Sequence, residues 1–163
     1  MFKKFALPAA VAAIALNASS AFAADDARSS IHISAEIPTK QFHAQPRDPN
    51  WGKDERMSYN PVSGDLSNLR ATYDVKNTEG SVHAYIEGGP ASLFNGSDAI
   101  ALTTAFNGVV LTATPQEVVD DPQSTPGTQA DMVITPAKPL AGQNGLYTGD
   151  FTVVFDAVPR VTP

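Results

Sequence analysis

Short runs of alternating apolar and polar residues recur along the chain, and they restrict what it can fold into. Two such runs are "LRATYDV" (69–75) and "SVHAYIEG" (81–88). Alternation with a period of two is typical of a strand that buries one face. Helical periodicity is nearly absent, and 13 prolines and 11 glycines interrupt the chain. The pattern therefore predicts an antiparallel β-sandwich or barrel.

Three further runs extend this prediction: "AIALTTAFNGVVLTAT" (99–114), "ADMVITPA" (130–137) and "GLYTGDFTVVFDAV" (145–158). The first contains Asn107-Gly108, a pair typical of a tight hairpin turn because both residues tolerate positive φ. The inward positions predicted for the five runs are Leu69, Ala71, Tyr73, Val75, Val82, Ala84, Ile86, Ile100, Leu102, Thr104, Phe106, Val109, Leu111, Met132, Ile134, Tyr147, Phe151, Val153 and Phe155.

Two stretches lack a strand pattern. Residues 41–58 are polar and broken by proline, so we expect a long surface loop there. Residues 115–129 begin with a possible helical turn near 115–120 and continue as a flexible loop. Neither an internal repeat nor a second domain boundary is evident.

The first 23 residues have the layout of a secretory signal peptide. Lys3 and Lys4 precede an apolar run that ends near Leu16, and Ala21-Phe22-Ala23 forms an A-x-A cleavage site. The apolar run is shorter than the roughly 20 residues that span a membrane. We therefore predict an exported mature chain of 140 residues that begins at Ala24, is soluble and folds as one domain.

Charge and composition exclude several classes of function. Without Lys3 and Lys4 the mature chain has 9 basic and 17 acidic residues, a net charge of −8. Nucleic acids and anionic membranes attract basic surfaces, so neither is an expected partner, and membrane insertion is not expected. Cysteine is absent, which removes disulfides, thiol catalysis and thiolate metal sites.

Candidate catalytic or metal-binding residues do not form a convincing set. His32 and His83 fall on the polar faces of predicted strands, and the spacing of these residues and His43 does not suggest a metal site. Trp51 could be a sugar platform, but a lone tryptophan more often caps a core. Neither a G-x-S-x-G elbow nor a glycine-rich phosphate loop occurs. We predict no enzyme activity, no cofactor and no metal.

The segment "ADDARSSIHISAEIPTK" (24–40) has an unusual arrangement for the start of a mature chain. A polar leader precedes an alternating stretch whose apolar positions are Ile31, Ile33, Ala35 and Ile37. Such a strand could dock on its own domain, or it could complete the exposed sheet edge of another subunit. The chain also ends soon after "FTVVFDAV", where Pro159 and Pro163 disfavour another strand.

Several stretches together resemble the major pilins of class 5, or alpha-type, fimbriae, which an alternate chaperone–usher pathway assembles and which include the colonisation-factor and cable pilins. The matching stretches are "IHISAEIP", "AIALTTAFNGVVLTATPQEVV" and "ADMVITPAKPLAGQNGLYTGDFTVVF", the last with Gly145, Tyr147, Gly149 and Phe151 in a G-x-Y-x-G-x-[FV] pattern. The resemblance covers most of residues 28–158, and the absence of cysteine agrees with it.

The resemblance implies an incomplete immunoglobulin-like β-sandwich that the N-terminal strand of a neighbouring subunit completes. Residues 24–38 would be the donor segment and 39–163 the pilin domain. A periplasmic chaperone, an outer-membrane usher and a separate tip adhesin would take part in assembling a homopolymer that supports attachment to host cells or surfaces. The residues that it implies for the contact between subunits are Ile31, Ile33, Ala35, Ile37 and Pro38.

Three other interpretations remain open from the sequence. The chain could be a self-complete secreted or periplasmic β-sandwich that binds a sugar or peptide, which predicts a stable monomer. It could be a minor pilus subunit. A secreted hydrolase on the same scaffold is disfavoured because the sequence contains no catalytic constellation.

Overall fold

The structure is a computed structural model that describes residues 41–161. In chain order its elements are β1 (Phe42–Pro46), β2 (Tyr59–Asn60), β3 (Asp65–Leu66), β4 (Leu69–Asn77), β5 (Gly80–Ile86), β6 (Ser92–Phe94), β7 (Ala99–Phe106), β8 (Val109–Val110), β9 (Gln116–Val119), α1 (Asp121–Ser124), β10 (Thr128–Pro136) and β11 (Val153–Pro159). None of the helices described is long and apolar enough to cross a membrane.

The strands form two antiparallel sheets and one small hairpin. The first sheet has the order β1-β4-β10-β7-β6, and β8 also pairs with β7. The second sheet has the order β11-β5-β9, and β2 pairs with β3 as the separate hairpin. This immunoglobulin-like, all-β sandwich confirms the fold class that the alternating runs and the resemblance predict.

The core lies between the two sheets, where the alternating runs place their apolar side chains. Val82, Ala84 and Ile86 on β5 are almost completely buried. Three aromatic rings join the sheets: the ring centroid of Phe106 lies 5.4 Å from that of Tyr73 and 4.9 Å from that of Phe155. Edge-to-face pairs of this kind add to the free energy gained by burying apolar area.

The hairpin turn lies where the Asn-Gly pair predicts it. Asn107 and Gly108 have φ values of 49° and 82°, both in the left-handed region. The Nδ2 atom of Asn107 also donates to the carbonyl oxygen of Val118, at 2.7 Å. The turn therefore joins β7 to β8, and its Asn107 side chain also attaches it to β9, where Val118 lies.

The two stretches without a strand pattern contain strands, contrary to the sequence-based expectation. Residues 42–46 form β1, which is an end strand of the first sheet. Its last residue, Pro46, has no backbone N–H to donate, and an edge strand tolerates this because one of its sides has no partner strand. Residues 116–119 form β9 rather than a helical turn, and β9 pairs with β5 across a bulge. The helical turn comes later, at α1, where the Asp120 side chain accepts from the backbone N–H of Gln123.

The last alternating run is only partly a strand. Residues 145–152 make an isolated bridge, Thr148 to Phe94, and the regular ladder begins at Val153. At its other end this ladder lies very close to Gly80, where an added Cβ would overlap the carbonyl oxygen of Val158. Glycine at position 80 is therefore required by the close approach of the two backbones.

We expect Gly80→Ala to separate the end of β11 from β5. A methyl group has no room beside the Val158 carbonyl, so the cost should be about 1–3 kcal/mol, as for other overpacked sites. Thermal melting of purified fimbriae measures the effect. Glu79→Ala, an exposed change in the same turn, is the matched control and should melt like the unmodified protein; equal melting of both variants would contradict the close approach.

Candidate subunit-binding groove

Strand β11 is the end strand of the second sheet, and no strand among residues 41–161 pairs with its outer edge. Its inner face is less buried than that of its partner β5. Residues 82, 84 and 86 on β5 are buried, whereas the β11 residues opposite them are half-buried or exposed. The opposed pairs are Val82 with Ala157, Ala84 with Phe155 and Ile86 with Val153. The apolar interior of the sandwich is therefore incompletely covered along β11.

Among residues 41–161, the strand order shows which side of the sandwich ends in strands without an outer partner. Strands β8 and β9 contact each other, so the two sheets meet along that side. Strands β1 and β11 are the end strands on the other side. Both approach the turn between β4 and β5: the N–H of Thr78 donates to the carbonyl of Gln41, and the N–H of Arg160 donates to the carbonyl of Glu79. We call the inner face of the sandwich along the two end strands β1 and β11 the edge groove.

The inner surface of the edge groove is apolar. On β1, Ala44 and Pro46 lie opposite Val75 and Tyr73 of β4, and on β11 the ring of Phe155 lies 5.7 Å from that of Tyr73. Burial raises the pKa of the Tyr73 hydroxyl, and a hydrogen bond with Trp51 partly offsets the effect. An unpaired strand edge beside an apolar surface is the arrangement that accepts an additional strand.

A network of hydrogen bonds fixes the end of β11 next to the groove. The guanidinium of Arg160 donates to both carboxylate oxygens of Asp121, at 2.9 and 2.7 Å, and to Thr125 and the carbonyl of Thr78. The hydroxyl of Ser124 donates to the carbonyl of Gly80. Helix α1 thus connects the β4–β5 turn to the end of the last strand.

This network predicts a specific acid sensitivity. The hydrogen bond from Arg160, with a further one from Thr125, lowers the pKa of Asp121 to about 2. A carboxylate whose pKa is lower in the folded state stabilises the fold above its unfolded pKa of about 3.9, and this contribution is lost as the pH falls towards about 2.

We therefore expect Asp121→Asn to lower the melting temperature at neutral pH and to make melting less dependent on pH between about 4 and 2. Melting curves across that range measure the effect. Asp54→Asn is the control, because the Asp54–Arg56 pair is well exposed to solvent. If D121N melts like the unmodified protein at neutral pH, the network does not stabilise the end of β11.

The other candidate residues lie apart from one another. His43 lies on β1, and His83 lies on the outer face of β5 with its Nε2 atom 3.8 Å from Glu117. Within residues 41–161 no group of histidine and acidic side chains could hold a metal ion. Trp51 is partly buried and packs against the core, which confirms the interpretation as a core cap. His32 lies outside the described residues.

The residues expected to form the donor strand, Ile31, Ile33, Ala35, Ile37 and Pro38, also lie outside the described residues, as does the signal peptide at 1–23. The assignment of these residues stays a prediction. Two features of the groove, the strand β1 and the Arg160–Asp121 pair, could not be predicted from the sequence. A charged residue directly after Pro159 carries no local signal for a partner 39 positions earlier.

Comparison with known proteins gives the family of this β-sandwich. The model of the CS1 type fimbrial major subunit matches residues 27–156. The chain belongs to this family. It is therefore a major structural subunit of a fimbria rather than an enzyme, it is exported to the cell surface, and it assembles with identical subunits.

A solved structure supports the same fold. The chain is similar to the CooA pilin subunit from enterotoxigenic Escherichia coli, with a TM-score of 0.55 and 16% sequence identity. The similarity covers 71% of this chain and 86% of that one. No curated protein matches the chain significantly.

Proposed function

We propose that the subunits polymerise by donor-strand exchange, in which residues 29–38 of one copy insert into the edge groove of the next. The observation that carries the proposal is the inner face of β11, which is half-buried or exposed opposite the buried inner face of β5. A strand added beside β11 would pair with its free edge and cover Val153 and Phe155.

The proposed donor matches the groove in length and pattern. Strand β11 has seven residues, about 23 Å at 3.3 Å per residue, and the stretch from Ile31 to Ile37 has the same number. Its apolar side chains alternate, so they can all face the core while the polar ones face solvent. Burying Ile31, Ile33 and Ile37 would contribute roughly 1.5–3 kcal/mol each, and each backbone hydrogen bond would add about 0.5–1.5 kcal/mol.

The same surface makes partners necessary before polymerisation. An unpaired strand edge next to exposed apolar side chains promotes aggregation, so the groove must be covered during export. A periplasmic chaperone that occupies the groove, and an outer-membrane usher that exchanges it for the next donor strand, meet this need. A separate tip adhesin would occupy the end of the fimbria and bind the host surface.

Denaturing gel electrophoresis without heating tests the proposal. Subunits joined by inserted strands should migrate as a ladder of multiples, and boiling should convert the ladder to monomer. A monomer band alone in the unheated sample would favour a strand that folds back on its own domain and would contradict the exchange.

A further inference from the structure

A pocket lies between β4 and the loop that follows β1. Strand β1 ends at Pro46, opposite Tyr73, and the chain bonds once more to β4, where the N–H of Arg47 donates to the carbonyl of Thr72 at 2.9 Å. The pocket has a volume of about 530 Å³ and is lined by Arg47, Asp48, Trp51, Arg70, Ala71 and Thr72. A volume of this size is typical of sites that bind small molecules.

The indole of Trp51 forms one wall of the pocket and is fixed from two directions. Its backbone N–H donates to the carbonyl of Asp48 at 3.1 Å, and the Asp48 carboxylate accepts from the N–H of Asn50 at 2.9 Å, so the loop makes a tight turn. The ring packs against the core and forms a hydrogen bond with the hydroxyl of Tyr73. Trp51 is only partly buried, and it therefore presents a rigid aromatic surface to the pocket.

The charged groups around the pocket are balanced. Arg70 pairs with Asp131 at 2.5 Å, and Arg47 lies 3.5 Å from the carboxylate of Asp74. The hydroxyl of Thr72 also donates to Asp131, at 2.7 Å. A guanidinium has five N–H donors, so each arginine keeps donors to offer after pairing, although its charge is already offset. The pocket therefore provides hydrogen-bonding groups in fixed positions without an excess of positive charge.

We propose that this pocket binds a neutral saccharide. A sugar ring has an apolar C–H face that can pack on an aromatic ring, and its hydroxyls both donate and accept hydrogen bonds. Trp51 provides the aromatic surface, the guanidiniums of Arg47 and Arg70 provide donors, and the carboxylate of Asp48 provides an acceptor. An anionic ligand fits less well, because neighbouring carboxylates offset both arginines and the mature chain has 17 acidic residues against 9 basic ones.

Assembly makes even a weak site of this kind effective. The chain is a major structural subunit, so the pocket is repeated along the fimbria. Once one pocket is occupied, the next is held close to a surface that carries many copies of the saccharide, and the contacts reinforce one another. Host glycans and bacterial polysaccharides share the chemistry that the pocket recognises, and the experiment distinguishes these two sources.

Purified fimbriae applied to a saccharide array test the site. The array carries neutral, sialylated and sulfated animal oligosaccharides together with neutral bacterial polysaccharides. We expect the fimbriae to bind neutral members only, and the source of those members, animal or bacterial, identifies the source of the ligand. Because Trp51 is the only tryptophan of the chain, titration with the free saccharide that binds best should change the tryptophan fluorescence of the fimbriae and saturate near about one saccharide per subunit.

Arg47→Met keeps an apolar side chain but removes the guanidinium, so it should weaken saccharide binding about tenfold. Arg56→Met is the matched control, because Arg56 is well exposed, pairs with Asp54 and does not line the pocket; it should bind normally. If R47M does not assemble, the fluorescence titration of the unmodified fimbriae still decides.

Three results would overturn the proposal: no binding to any neutral saccharide, equal binding by R47M and R56M, or binding that leaves the tryptophan fluorescence unchanged. Saturation at far less than one saccharide per subunit would also overturn it, because the site would then belong to a minor component such as the tip. The ladder of multiples on an unheated gel tests strand exchange independently, so the two proposals can fail separately.

Discussion

Fimbriae made from the Ile33→Asp variant are expected to be absent, and the unheated gel should show no ladder of multiples. The change would place a carboxylate in the apolar groove beside Phe155, where none of the buried side chains among residues 41–161 is a cation. Burying an unpaired charge costs several kcal/mol or more, which exceeds the roughly 1.5–3 kcal/mol that the isoleucine side chain contributes. Gel electrophoresis of surface extracts and electron microscopy of cells measure the result.

Ser34→Asp is the matched control, one position further along the chain. Adjacent residues of a strand point to opposite faces, so the carboxylate of S34D should face solvent and the ladder should remain. A normal ladder from I33D would show that Ile33 does not enter the groove. Loss of the ladder from both variants would show that the effect is charge near the N-terminus rather than burial.

Phe106→Ala is expected to have the largest effect on folding of any single change in the described core. Phe106 is completely buried, and its ring joins Tyr73 of the first sheet to Phe155 of the second. Removing a buried phenylalanine side chain costs about 3–5 kcal/mol, a large part of the 5–15 kcal/mol that stabilises a typical domain. We expect little exported subunit, and any fimbriae that form should melt at a lower temperature.

Phe94→Ala is the control for size and residue type, because Phe94 is exposed on β6. Exposed substitutions usually change stability by less than about 0.5 kcal/mol, so the amount of exported subunit should be normal. Equal amounts of exported F106A and F94A would show that the aromatic cluster does not hold the two sheets together.

The inward faces of the strands could be predicted because their pattern is local. On β5 and β7 every second side chain enters the core, and the sequence alternates accordingly. The turn at Asn107-Gly108 was predictable for the same reason, since the requirement for positive φ lies in the two residues themselves.

Two strands that were not predicted from the sequence, β1 and β9, are extended because they pair with strands distant in the chain. Residues 42–46 are proline-terminated and only half-buried, and they are extended because β4 provides a ladder on one side. Val118 and Val119 are adjacent and both buried, so β9 lacks a clean alternation, and its pairing with β5 depends on a bulge. Propensity within four residues does not contain this information.

The groove itself was only half predictable. The segment at 31–37 shows the pattern of a strand to be inserted, and the resemblance to pilins supplied a role for it. The walls come from β1 and β11, at opposite ends of the described residues, and both are anchored to the β4–β5 turn, through Gln41 and Arg160. This placement of distant segments is a property of the fold and cannot be obtained from either segment alone.

Adding a synthetic peptide of residues 24–40 to a subunit that lacks residues 24–38 tests strand exchange most directly. The truncated subunit should fold poorly alone, and the peptide should restore cooperative melting at a temperature that rises with peptide concentration, because a ligand that binds the folded state stabilises it. A peptide with Asp in place of Ile33 should have no such effect. A truncated subunit that folds alone, does not respond to the peptide and melts as the full-length chain does would contradict strand exchange.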